Sequence, residues 1–107
     1  MTGKRGVSKR GKVSRYKKII RVNMPTRLRG RIERSIGFRL DMSEFIRTSV
    51  KDYIEHRYTT IEEVTDRKTV SMTIRVTEEE YRDIFRYAGN LGTSATELIR
   101  SAILRSI

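Results

Sequence analysis

The chain has no cysteine, no tryptophan, a single proline and a single histidine in 107 residues. Without cysteine there can be no disulfide framework, no thiolate metal site and no thiol nucleophile, and His56 cannot assemble a zinc site unaided. No apolar run approaches the roughly 18 to 20 residues of a membrane-spanning helix, and no apolar stretch with a cleavage site follows the charged start. Acid is scarce as well: 13 Asp and Glu stand against 24 Lys and Arg, a net charge of +11. Such an excess points to a polyanionic partner, either nucleic acid or an anionic membrane surface. The length admits one ordinary domain or two very small ones. The expectation is a soluble, cytoplasmic protein.

The charge is unevenly placed. Lys4, Arg5, Lys9, Arg10, Lys12, Arg15, Lys17 and Lys18 fall within the first 18 residues, where there is no acid. Glycines at 3, 6 and 11 accompany them, and almost nothing apolar is available to offset the entropy of ordering the chain. Residues 1–17 therefore read as a disordered basic arm. A solubilising tail is the plain alternative, but acid-free basic arms more often contact phosphate.

The rest of the chain contains a repeat. Val22 and Met24 match Ile74 and Val76 at a spacing of 52, as Ile32 matches Ile84; from Glu44 onward the spacing becomes 53, aligning Glu44-Phe45-Ile46-Arg47-Thr48 with Glu97-Leu98-Ile99-Arg100-Ser101. Two copies of one small unit are the simplest explanation. In the second copy Val70, Met72, Ile74 and Val76 alternate with polar residues, the period of a strand with one buried face. Ile20, Val22 and Met24 form the corresponding apolar set in the first. Pro25 and Thr77 then mark helix starts. Leu28, Ile32 and Ile36 in one copy, and Tyr81, Ile84, Phe85, Ala88 and Leu91 in the other, supply apolar stripes. Gly37, and Gly89 with Gly92, are expected to stop these helices. Asp41 to Glu44 and Ser94 to Glu97 read as capping boxes opening second helices. Phe45, Ile46, Ser49, Val50, Tyr53 and Ile54 match Leu98, Ile99, Ala102, Ile103 and Ile107 as their buried faces. The predicted organisation is an arm over 1–17, units over 18–57 and 69–107, and a polar linker over 58–68. One such unit cannot bury its own strand and helices. The predicted fold is mainly α, with the two strands paired as an antiparallel β-ribbon and four helices packed on its apolar face.

Strand, Pro25 or Thr77, short helix, glycine turn, and then Ser43-Glu44-Phe45-Ile46-Arg47 or Thr96-Glu97-Leu98-Ile99-Arg100 resembles the ribbon-helix-helix family of Arc- and MetJ-type DNA-binding proteins over 18–57 and 69–107. The chain is also similar to tandem regulators of archaeal filamentous viruses. The resemblance implies that two units, here fused as an intramolecular pseudo-dimer, make one fold that places the ribbon in the DNA major groove. The implied base-reading residues are Ile19, Arg21 and Asn23 with Ser71, Thr73 and Arg75. The chemistry suits this role: Arg pairs with guanine, Asn with adenine, and Thr or Ile touches the thymine methyl. A solvated strand face would favour several of the same residues.

The resemblance further implies phosphate contacts at the second-helix N-termini, at Met42 and Ser43 and at Ser94, Ala95 and Thr96, where unsatisfied N–H groups and the helix dipole favour an anion. Asp41 would oppose a phosphate on the first of these. Lys4, Arg5, Lys9, Arg10, Lys12, Lys17 and Lys18 are the phosphate contacts expected of the arm and the strand start. Arg27, Arg29, Arg31 and Arg34 could touch flanking phosphates, whereas the second copy has Glu78, Glu79, Glu80 and Asp83 at that stretch. Arg47 and Arg100 match each other but read as the solvated edges of their helices.

No catalytic triad, phosphate loop or metal-ligand spacing is present, so neither an enzyme nor a cofactor is expected. The expected partner is double-stranded DNA, with association of copies along the DNA as a further option and no membrane or small-molecule substrate. The expected function is a sequence-specific transcription regulator, a repressor; the alternative is an architectural or genome-coating protein with little sequence preference. An antitoxin role ranks lower, because such proteins usually carry a partner-binding segment after the fold.

Overall fold

The period-two alternation at 69–76 forms a strand, and so does its weaker counterpart at the start of the repeat. A computed structural model describes residues 15–37, 41–62 and 65–107. The elements run β1 (Lys18–Pro25), α1 (Thr26–Ile36), α2 (Met42–Glu55), β2 (Thr69–Val76), α3 (Glu78–Leu91) and α4 (Ala95–Ser106). Among the described residues the protein is thus mainly helical, with four helices and one two-stranded antiparallel sheet.

Strand register follows the apolar pattern. Ile20 faces Ile74, Val22 faces Met72 and Met24 faces Val70 on the inner side, while Ile19 faces Arg75, Arg21 faces Thr73 and Asn23 faces Ser71 on the outer side. A slip of one residue would turn every apolar side chain outward, so burial holds the register. Ile20, Val22, Met24, Ile74 and Val76 are buried. Against them pack Ile46, Val50 and Tyr53 of α2 and Leu98, Ile99, Ala102 and Ile103 of α4. Leu28 and Ile32 of α1 and Ile84 and Ala88 of α3 complete the core. The second helices pack across the chain: α2 lies on β2, α4 on β1, and α2 against α4. An isolated two-stranded ribbon is at best marginal in water, so this cover is what makes it stable.

Local sequence explains the helix ends, with four departures from the pattern. Pro25 is the last ladder residue as well as the N-cap of α1; at a strand end its missing N–H costs nothing, and the Thr26 N–H donates to the Lys68 carbonyl at 3.1 Å instead. Gly89 lies inside α3, which runs on to Leu91 and stops at Gly92 in the left-handed conformation (φ 72°). A mid-helix glycine weakens a helix by only about 1 kcal/mol, less than packing returns. Asp41 caps α2 by accepting from the Glu44 N–H at 2.7 Å, without the reciprocal Glu44 bond. Ser94 with Glu97, and also Thr77 with Glu80, form complete boxes. Phe85 is 45% exposed beside Tyr81, because the buried stripe of α3 narrows to Ile84 and Ala88.

The connector is tied down by polar contacts. Tyr53 donates to the Thr60 carbonyl, Tyr87 donates to the Tyr58 carbonyl at 2.6 Å, and the Glu62 N–H donates to the buried Ser101 hydroxyl at 2.8 Å. Arg105 stacks on the Tyr58 ring at 3.6 Å. Arg57 adopts the left-handed conformation (φ 55°) that glycine usually supplies after a helix, and the Tyr58 N–H closes that turn onto the Tyr53 carbonyl at 3.1 Å. Burial, then the neighbouring Tyr87, pushes the Tyr53 hydroxyl above its ordinary pKa. Among the described residues no helix is long and apolar enough to cross a membrane.

Candidate nucleic-acid interface

Strand alternation puts Ile19, Arg21, Asn23, Ser71, Thr73 and Arg75 on one face, and all six are exposed. Among the described residues no hydrogen bond or ion pair engages the side chains of the five polar members. Their donors and acceptors therefore face solvent uncommitted. At about 3.3 Å per residue, Ile19 to Asn23 spans roughly 13 Å, and two strands lie about 4.8 Å apart. The narrow dimension of such a platform lies within the width of the B-DNA major groove, about 12 Å. Ile19 is 55% exposed, an unusual setting for a large aliphatic side chain and the one apolar contact on this face.

The register gives the platform a centre. The 52-residue repeat spacing equates Arg21 with Thr73, and these two residues are directly paired. The same spacing equates Ile19 with Ser71 and Asn23 with Arg75, so equivalent residues lie on opposite sides of the central pair. None of the three equivalent pairs is chemically alike.

The second-helix N-termini differ from each other as well. Helix geometry leaves the N–H groups of Met42 and Ser43, and of Ala95 and Thr96, without acceptors inside their helices. At α2 the neighbouring charge is Asp41; at α4 the cap is the neutral, exposed Ser94 hydroxyl. Ala95 is buried and offers only its backbone. Glu97 is held below the usual carboxylate range, first by the Thr93 hydroxyl donating at 2.7 Å and then by the Ser94 backbone N–H. Its charge is thereby committed to the cap.

Of the basic residues expected on phosphate, Lys4, Arg5, Lys9, Arg10 and Lys12 lie outside the described residues, while Lys17 is exposed and Lys18 sits 5.4 Å from the Tyr81 ring centroid. Arg27 is paired with Asp66 at 2.9 Å and Arg29 approaches Glu33 at 3.7 Å, leaving Arg31 and Arg34 as the exposed charges of α1 without an ion pair among the described residues.

Sequence reading missed Arg47 and Arg100. They are not solvated helix edges: each reaches from a second helix to the strand of the other repeat. Arg47 donates to the Arg75 carbonyl at 2.9 Å, and Arg100 donates to the Asn23 carbonyl at 3.1 Å. Arg47 also carries the Tyr16 ring at 4.3 Å, at the root of the arm. Their alignment at the 53-residue spacing was the available signal.

Compared with protein-family models, with curated proteins and with solved structures, the chain matches none.

Proposed function

We propose that the chain is a sequence-specific double-stranded DNA-binding transcription regulator, acting as a repressor, whose ribbon enters the major groove. In this reading, units 18–57 and 69–107 are tandem ribbon-helix-helix units forming an intramolecular pseudo-dimer, joined by the linker 58–68. The observation that carries it is the exposed outer ribbon face, where Arg21, Asn23, Ser71, Thr73 and Arg75 have uncommitted polar groups around a central Arg21–Thr73 pair. The crossed packing of α2 on β2 and α4 on β1 supports the pseudo-dimer, because each unit covers the other's strand. The protein acts by binding, with no catalysis and no cofactor.

The reading makes the target site asymmetric. Arg75 favours guanine, its equivalent Asn23 favours adenine, and Ile19 suits a thymine methyl where its equivalent is Ser71. Residues 19–57 carry nine basic and five acidic residues, whereas 58–107 carry seven and eight. The first half and the arm accordingly supply more of the phosphate attraction.

The test is selection from a random duplex library at about 150 mM salt, where non-specific attraction is weakened. An enriched, non-palindromic motif with a core of about four base pairs, the length the ribbon spans, is expected. Tight binding without enrichment would favour an architectural protein, for which the charge of the arm already speaks. A palindrome protected equally on both halves would count against the asymmetry. Deleting residues 1–17 removes seven bases, so weaker binding to every duplex and a shallower salt dependence are expected.

A further inference from the structure

We infer that Arg47 and Arg100 are positioning residues for base reading, holding the two outer corners of the ribbon so that Arg75 and Asn23 meet the bases in a set orientation. The inference rests on the DNA-binding reading above. Its ground is a crossed and repeated contact: Arg47 and Arg100 are equivalent at the 53-residue spacing, and the carbonyls they bind belong to Arg75 and Asn23, equivalent at the 52-residue spacing. Both bonds join one repeat to the other. Both end on residues whose side chains can form bidentate bonds with a base.

The physics supplies a reason for the arrangement. In a two-stranded ribbon each strand is an edge, with unpaired backbone groups and ends that open readily. A charge-assisted bond to a carbonyl fixes the peptide plane beside the reading residue, and with it the direction of the neighbouring side chain. Loose corners would leave Arg75 and Asn23 to be ordered at the moment of binding, at an entropic cost that falls on specific and not on non-specific complexes. Among the described residues the Arg100 Nε has no hydrogen-bond partner, so the guanidinium engages the strand through its terminal nitrogen alone.

Arg47→Lys and Arg100→Lys keep the charge and lose the rigid planar donor set. Each is expected to lower affinity for the preferred duplex about tenfold, with affinity for random duplex and the salt slope unchanged. Equal losses on both duplexes would overturn the inference in favour of a phosphate contact or a damaged fold, and no loss on either would overturn it outright. Thermal melts report folding. If the Arg100→Lys chain is unfolded, the Arg47→Lys chain provides the same comparison. A wild-type chain with no preferred duplex would defeat the DNA-regulator reading instead. The corner contacts would then be judged by amide exchange: faster exchange confined to ribbon amides in the Lys variants supports them, and unchanged exchange overturns them.

Discussion

Helices α1 and α3 follow their strands at equivalent places, yet they are built from opposite chemistry. α1 begins at Pro25 with no side-chain cap and no acid in its first turn, whereas α3 begins at Thr77 with a complete capping box and Glu78, Glu79 and Glu80. Their outer faces carry Arg27, Arg29, Arg31 and Arg34 beside a lone Glu33 in one, and Glu78, Glu79 and Asp83 beside Arg82 and Arg86 in the other. Their inner faces agree: Ile32 and Ile84, equivalent at the 52-residue spacing, are both buried in the same core. Packing constrains what faces the ribbon, and little constrains the solvent face. One architecture can therefore carry two unlike electrostatic surfaces, which under the proposed function is how a single chain distinguishes the two ends of its site.

The comparison can be broken at the core first. Ile32→Ala and Ile84→Ala are each expected to cost about 2 to 5 kcal/mol in urea denaturation, since each leaves a cavity at an equivalent place. A near-zero cost for one would show that its half contributes little to the shared core. On the outer ribbon face, Arg21→Ala and Arg75→Ala should each lose about 1 to 3 kcal/mol at the preferred duplex and little on random DNA. Titrations showing equal losses on both duplexes would remove direct base reading.

The difference in caps gives a smaller effect. Thr77→Ala is expected to cost about 1 kcal/mol and to speed amide exchange in the first turn of α3. No change would mean that the start of α3, like that of α1, does not depend on a side-chain cap. The smallest effect belongs to pH. Glu97 has a folded pKa below its unfolded value, so its contribution is fully present above the unfolded value and is lost as pH falls through the folded one. Acid titration of the Glu97→Gln chain should give a less steep loss of stability on that limb, and an unaltered curve would remove the cap as a source of acid sensitivity.

Much of the fold was legible because it is periodic. The alternation of Val70, Met72, Ile74 and Val76 marked β2 from Thr69 to Val76, and the stripe of Leu28, Ile32 and Ile36 marked α1. Where the reading departed, a local signal had more than one solution. Gly89 permits a stop but does not require one, and Phe85 lies at the margin of a stripe whose width depends on neighbouring helices. The connector looked merely polar, while Tyr87 and Ser101, 29 and 39 residues from their partners in it, bind it together with the nearer Tyr53.

The candidate interface divides the same way. Strand parity alone placed Ile19, Arg21 and Asn23, and Ser71, Thr73 and Arg75, on one exposed face, because side chains alternate whatever the partner strand does. The direct pairing of Arg21 with Thr73 required the register, which is set by burial of Ile20, Val22, Met24, Ile74 and Val76 together. The Arg47 and Arg100 contacts required still more. Their acceptors are 28 and 77 residues away in the chain, and only the packing of α2 on β2 and α4 on β1 brings guanidinium and carbonyl together. Periodicity is a property of neighbours in sequence, so the sequence by itself determined the elements and their faces. Contacts between the halves depend on how those faces close over one another, and that only the tertiary structure decided.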